Sequence, residues 1–252
     1  MGIDPRKIVN VAVTPCTAKK FEIRRGEMNA AGCYLGIEDM RDMDYVITTR
    51  ELAMLAKDEG IDFAALEDSA YDDLMGQASG AGVIFGNTGG VMEAAIRTAY
   101  CYATGKDAPQ ALYDLQPVRG MDGIREAEVD IEGTKVKVAV VYGTANARKL
   151  IEKIKAGEAE YHFVEVMACP GGCVGGGGQP IHDGEELAHT RGANLYFLDK
   201  NAKIRFSHEN QDVMKLYSDF LEKPLSHKIT YAASYRSYKV GDAEITIHHF
   251  AF

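Results

Sequence analysis

The sequence predicts an α/β fold of two lobes, with mixed β-sheets flanked by helices. Short β-branched runs alternate with helical stretches over most of the chain. At 252 residues it is long enough for one large domain or two lobes of ~125 residues each. Hydrophobic residues make up 46% and charged residues 26%, the balance of a globular chain able to bury a core.

The elements follow in order. "KIVNVAV" (Lys7 to Val13) is a strand that ends at Pro15-Cys16, and "DYVITT" (Asp44 to Thr49) is a second. "TRELAMLAKDEG" is a helix capped by Thr48 or Thr49 and closed by Gly60 in a left-handed conformation. "AGVIFGNTGG" is a strand running into a glycine turn, and "VMEAAIRTAYCYATG" is the helix after it. "TKVKVAVVYG" is the longest clear strand, and "NARKLIEKIKAG" is an amphipathic helix. "HFVEVMA" is a buried strand that delivers Cys169, followed by "ANLYFLD" and the helix "QDVMKLYSDFLEKP". The stretch from Tyr113 to Val129, with Pro117 and scattered glycines, is the best place for a crossing between lobes. Residues 229–252 form a C-terminal tail or a hairpin around Gly241-Asp242.

Composition excludes several functions. A net charge of −9 argues against nucleic acid or an anionic membrane as partner. No apolar run approaches the ~18 residues of a membrane span, and the opening "MGIDPRKIVNVAV" lacks a signal-peptide layout, so a cytoplasmic setting is expected. Five cysteines (Cys16, Cys33, Cys101, Cys169, Cys173) point to free thiols or metal ligands, because a disulfide framework needs an even set and a secretory context.

The chemistry concentrates in "EVMACPGGCVGGGGQP" (Glu165 to Pro180), which holds two cysteines and six glycines in sixteen positions. Glycine weakens helix and strand alike, so the run serves a close approach of backbone to something else. A phosphate, a metal cluster and a tight domain crossing are the three candidates. Neither this run nor "FGNTGG" has the register of a nucleotide-binding turn or the Lys-Ser/Thr ending of a P-loop. Zinc needs four paired nitrogen or sulfur ligands, and the cysteine pair has no such set beside it. An iron–sulfur cluster fits better, since thiolates from glycine-rich loops leave backbone N–H groups free to approach the sulfides. "TPCTAKKFE" (Thr14 to Glu22) adds a strand-end cysteine just before Lys19 and Lys20, cations suited to an anionic cluster.

Taken together with "FGNTGGVMEAAIRTAY" (Phe85 to Tyr100), these two segments resemble the second and third signature motifs of the iron-only (FeFe) hydrogenases. "SHENQDVMKLYSDFLEKPLSHK" (Ser207 to Lys228) is similar to that family's C-terminal region. The resemblance implies a catalytic domain over residues 1–228 with a metal-cluster cleft between the lobes. It implies that Cys16, Cys169 and Cys173 ligate a 4Fe-4S cubane, and that Cys173 bridges to a two-iron subcluster carrying CO, cyanide and a dithiolate. Lys19 would hydrogen-bond a cyanide, and Met167 and Phe85 would pack against the diiron ligands. The implied reaction is the reversible reduction of protons to H2 in an anaerobe. The implied partners are ferredoxin or a similar electron carrier, together with maturation proteins.

The chain departs from the pattern in three places. Thr14 stands where the second motif usually has Met, and Asn87 where a small or apolar residue is usual. The family's first cysteine motif is absent, and with it the fourth cubane ligand, so an N-terminal segment or subunit bearing that motif is expected as a partner. A non-catalytic hydrogenase-like protein, either an iron–sulfur assembly factor or a sensor or accessory subunit, is the alternative.

Overall fold

The computed structural model describes residues 2–72, 75–223 and 226, and the strands at 235–240 and 243–248. It is a mixed α/β structure with helices flanking its sheets, as the sequence predicts. Strand β1 (Val11–Thr14) leads into two short helices, α1 (Lys19–Glu22) and α2 (Ala30–Leu35). Strand β2 (Tyr45–Thr48) then pairs parallel to β1, with Val11 opposite Tyr45 and Thr14 opposite Thr48. Helix α3 (Thr49–Asp58) starts from a capping box, in which the Thr48 hydroxyl accepts from the Glu51 N–H and the Glu51 carboxylate accepts from the Thr48 N–H. It closes with Gly60 at φ +67°, as its sequence requires.

The chain continues through α4 (Gly80–Val83) into α5 (Gly90–Thr104). Next come β3 (Ile124–Ile131), β4 (Thr134–Tyr142), α6 (Thr144–Lys155) and β5 (Phe163–Met167). These strands form a sheet in the order β3-β4-β5, antiparallel between β3 and β4 and parallel between β4 and β5. Helices α7 (Ala188–Asn201) and α8 (Gln211–Leu216) follow, and α8 runs on into a π-helical turn at Tyr217–Leu221. Strands β6 (Tyr235–Val240) and β7 (Ala243–His248) pair antiparallel; Gly241 and Asp242, where the sequence reading of a tail or hairpin puts the turn, lie outside the described residues.

Strand β4 organises the core. Val138, Ala139, Val140 and Val141 are fully buried, so both faces of the strand are covered. Val138 and Val140 join Met92, Ile96, Leu112, Leu115, Val118 and Phe206 in the main cluster. Ala139 and Val141 pack with Leu150 of α6 on the opposite side. An unbroken apolar run is the sequence form of a strand covered on both faces.

Three expectations are corrected. "AGVIFGNTGG" is no strand: Gly80–Val83 is helical and Ile84–Gly86 is a 3-10 turn. The Ser79 side chain caps the helix by accepting from the Gly82 N–H, and Gly80 lies against Asp199 of α7, where a Cβ would collide. A short buried apolar run carries no periodicity that separates helix from strand, and packing decides. "KIVNVAV" pairs only from Val11: Lys7 ends a 3-10 turn, Pro5–Lys7, capped by Asp4, and the Asn10 N–H is taken by the Asp44 carboxylate. Strand β5 is an edge strand, not a buried one: Phe163 and Val166 are 44% and 59% exposed, Val164 packs on the Ala139 and Leu150 cluster, and Glu165 is buried.

A buried ionic network ties α5 to α7. Arg97, Glu93 and Asp199 are fully buried. Arg97 donates to both Asp199 oxygens at 2.9 Å, and Arg205 reaches Asp199 at 2.6 Å. Arg119 grips Glu93 with two bonds of 2.7 and 2.8 Å. Burial alone pushes the Asp199 carboxyl up, but its hydrogen bonds to Arg97 and Arg205 outweigh burial and hold it below the usual carboxylate range. Removing one member leaves a buried charge without its partner. Asp199→Asn is therefore expected to destabilise the fold by roughly 3–5 kcal/mol, read from the shift of the urea unfolding midpoint.

Candidate metal centre

Two of the three motif cysteines stand at the carboxyl ends of strands. Cys16 follows β1 and Cys169 follows β5, and each strand runs parallel to a neighbour. In open parallel sheets this end is where ligands bind. After Cys169 the chain doubles back, with the Gly172 N–H donating to the Cys169 carbonyl at 3.0 Å, and Cys173 opens a 3-10 turn. The loop then reaches the Cys16 segment: the Gly178 N–H donates to the Pro15 carbonyl at 2.9 Å.

The thiols sense one another. Burial raises the pKa of Cys169, and the nearby Cys16 raises it further, against a hydrogen bond from the Gly177 N–H that lowers it. Solvent reaches Cys173, yet burial by the surrounding protein still pushes its thiol up, followed by Cys16 and Cys169, with Lys19 opposing. Among the described residues no three His, Cys, Asp or Glu side chains close around a single ion. A cubane offers each thiolate a different iron corner, so its ligands stand farther apart than those of one ion. Cys169 and Cys173, each sensing Cys16 and the latter also the Lys19 cation, suit that group.

Lys19 opens α1, and its ammonium pairs with Glu22 at 2.6 Å. Met167 ends β5, and Phe85 lies in the 3-10 turn Ile84–Gly86; both are partly buried. Cys33 is exposed on α2, and Cys101 packs on α5 against the main core. Asn87 donates from Nδ2 to the Gly192 carbonyl of α7 at 3.0 Å, so its polarity serves helix packing.

The glycines act differently from the sequence-based expectation. They bring chain against chain. At Gly172 (φ +95°) a Cβ would lie 2.6 Å from Thr88 N and 2.8 Å from Gly86 O. At Gly178 it would lie 2.8 Å from the Thr48 Cβ, and at Gly176 it would overlap the Pro15 carbonyl. Tight crossing, one of the three candidate purposes, accounts for these positions. Gly177 differs, because its N–H is the donor to the Cys169 sulfur.

The sequence reading missed Glu165. Its carboxylate accepts from the Gly89 N–H at 2.6 Å and the Met92 N–H at 2.8 Å, capping α5 from another strand. Burial pushes its pKa up against these bonds. The signal was a lone acid within the apolar run "FVEVM".

Residues 1–177 match the family model of the iron only hydrogenase large subunit, C-terminal domain, and residues 185–230 match that of the iron hydrogenase small subunit. The chain belongs to the iron-only hydrogenase family. It is 48% identical over 229 residues to the NADP-reducing hydrogenase subunit HndD of Solidesulfovibrio fructosivorans, covering 90% of this chain and 37% of that protein. To iron hydrogenase 1 of Clostridium pasteurianum it is 46% identical over 228 residues, covering 88% and 38%. An apo FeFe-hydrogenase HydA1 variant from Chlamydomonas reinhardtii superposes with a TM-score of 0.72 at 41% identity, over 91% of this chain and 63% of that one. This hydrogenase-family chain thus spans well under half the length of those two relatives. The cytosolic iron-sulfur assembly component 3 of Mus musculus is also related, at 36% identity over 227 residues, covering 87% of this chain and 45% of that protein. No helix among the described residues is long and apolar enough to cross a membrane.

Two glycines with positive φ separate contact from conformation. Gly172 has φ +95° and collides on gaining a Cβ, whereas Gly184 has φ +81° with nothing within 4 Å. Gly184→Ala should cost roughly 1–2 kcal/mol from left-handed strain. Gly172→Ala should cost about 1–3 kcal/mol more from overpacking, measured by denaturant unfolding of both variants.

Proposed function

We propose that this chain builds most of the ligand sphere of an iron-only hydrogenase centre, for the reversible reduction of protons to H2. The observation that carries the reading is the meeting of Cys16 with Cys169 and Cys173 beside Lys19, although they come from two separate sheets. The three thiolates would hold a 4Fe-4S cubane, with Cys173 bridging to a two-iron unit. When bound, that unit, with its CO, cyanide and dithiolate ligands, supplies the redox chemistry that joins protons and electrons. Lys19 supplies a cation that its bond to Glu22 leaves at the site, suited to a cyanide ligand. Met167 and Phe85 would pack against the ligands of the two-iron unit. The lobe crossing is assigned to Tyr113–Val129, a stretch whose last residues already belong to β3.

The fourth thiolate comes from a segment carrying the first motif, in a longer chain or a partner. The face formed by Val11, Val13 and Tyr45 supports this, since these side chains are 51%, 51% and 62% exposed on a parallel pair. Parallel sheets are normally covered on both faces. Maturation proteins supply the two-iron unit, and ferredoxin or a similar carrier, in the cytoplasm, supplies electrons.

A second reading, cluster binding without H2 chemistry, is favoured by Thr14 at the usual methionine position and by the relation to an assembly component. Anaerobic reconstitution followed by iron counting and infrared spectroscopy separates the two. Bands of bound CO and cyanide support hydrogenase chemistry, and a cubane alone supports the second reading. Cys16→Ser, Cys169→Ser and Cys173→Ser should each lose most of the bound iron, whereas Cys33→Ser and Cys101→Ser should retain it. Lys19→Asn should lose the infrared bands while the cubane survives.

The chain alone should show little or no H2 production, and adding a first-motif segment should raise both iron content and activity. Val13→Lys, on the open face, should block that rescue without changing the stability of the chain by itself.

A further inference from the structure

Two arginines from different helices take hold of the loop that follows Cys173. Arg50, in the first turn of α3, donates from Nε to the Gln179 carbonyl at 3.0 Å and from Nη2 to the Gly177 carbonyl at 2.6 Å. Its own backbone N–H donates to the Gly178 carbonyl at 2.9 Å. Arg191, on α7, donates from Nη1 to the Val174 carbonyl at 3.1 Å and from Nη2 to the Pro180 carbonyl at 2.8 Å. All four side-chain bonds end on backbone oxygens of one loop.

Their placement has a consequence at the cysteines. In a trans peptide the carbonyl and the N–H point in opposite directions. Holding the Gly177 carbonyl away from the site turns the N–H of the same peptide, Gly178, towards the Pro15 carbonyl beside Cys16. The neighbouring peptide, fixed by the Gln179 N–H on the Gly176 carbonyl at 3.0 Å, turns the Gly177 N–H to the Cys169 sulfur. A glycine loop has no side chains to hold such a pose, so the pose must be imposed from outside. Arg50 also stands at the positive end of a helix dipole, an unfavourable place for a cation unless another contact requires it.

We infer that Arg50 and Arg191 are positioning residues, a carbonyl clamp on both sides of the Gly176–Gly177 peptide that holds the loop so that the Gly177 N–H stays on the Cys169 sulfur, and so sets the potential of the bound cluster. Hydrogen bonds to the sulfurs are a principal control of cluster potential, and N–H donors favour the reduced, more negative state. The inference rests on the cluster reading above, and its test separates the two.

Arg50→Lys and Arg191→Lys keep the charge, but a lysine is a point donor that cannot bridge two carbonyls. Arg50→Gln and Arg191→Gln remove the charge as well. Hydrogen–deuterium exchange of the unloaded full chain reads the clamp directly. Peptides across residues 173–180 should exchange severalfold faster in the lysine variants, with the β3–β4 peptides unchanged as a control for folding. In the reconstituted protein, the cubane's midpoint potential, followed by EPR, should fall in the lysine variants as in the glutamine variants.

Unchanged loop exchange and unchanged potential in both lysine variants would overturn the clamp. A shift in the glutamine variants alone would overturn it too, leaving only an effect of charge. If the wild-type chain takes up no iron, the cluster reading and the tuning role both fall, while the exchange data still decide whether the clamp holds the loop.

Discussion

Two amide groups at the start of α5 are held by one buried carboxylate, Glu165, and much of the site's geometry depends on that pair of bonds. A helix leaves its first N–H groups without partners, and most helices satisfy one with a Ser, Thr, Asp or Asn cap. Here Gly89 and Gly90 occupy the entry, because a Cβ on Gly89 would press on the Val118 carbonyl and one on Gly90 would overlap the Ile84 carbonyl. With no side chain of its own to cap it, the helix takes a carboxylate from β5. That strand ends two residues before Cys169, so the cap fixes the third motif against the glycine turn that carries Phe85. The Thr88 N–H, donating to the Gly171 carbonyl at 2.9 Å, closes the same junction from the other side.

The ionic network between α5 and α7 serves a related end. Burying several charges gives little net stability compared with an apolar core of the same shape, since desolvation offsets much of the attraction. What it gives is a single allowed register, because each guanidinium must meet its carboxylates in the plane of the fork. Glu93, Arg97 and Arg119 lie in the region matching the large-subunit domain, and Asp199 and Arg205 in the region matching the small subunit. The two regions are therefore locked together, and α7 is held where Arg191 reaches the cysteine loop and Asn87 meets Gly192.

The contrast between the two sheets bears on function. The β3-β4-β5 sheet has its central strand buried on both faces, while the β1-β2 pair leaves Val11, Val13 and Tyr45 in solvent. Cys16 belongs to the open pair and Cys169 to the covered sheet. The proposed centre would thus join a finished half to one that presents an apolar face.

The sequence by itself determined the α/β class, a helix cap at Thr48 or Thr49, Gly60 and the long strand in "TKVKVAVVYG", because caps, turn angles and a sustained β-branched run are local properties. It misled at "AGVIFG" and at "FVEVM", where short apolar runs have no periodicity to reveal their partners. Only the tertiary structure decided that the loop glycines accommodate Thr88, Pro15 and Thr48, that Glu165 caps a helix 73 and 76 residues away in sequence, and that Arg50 and Arg191 converge on one loop. Each depends on which backbone groups of distant segments are left unpaired or crowded, and that is settled when the segments pack.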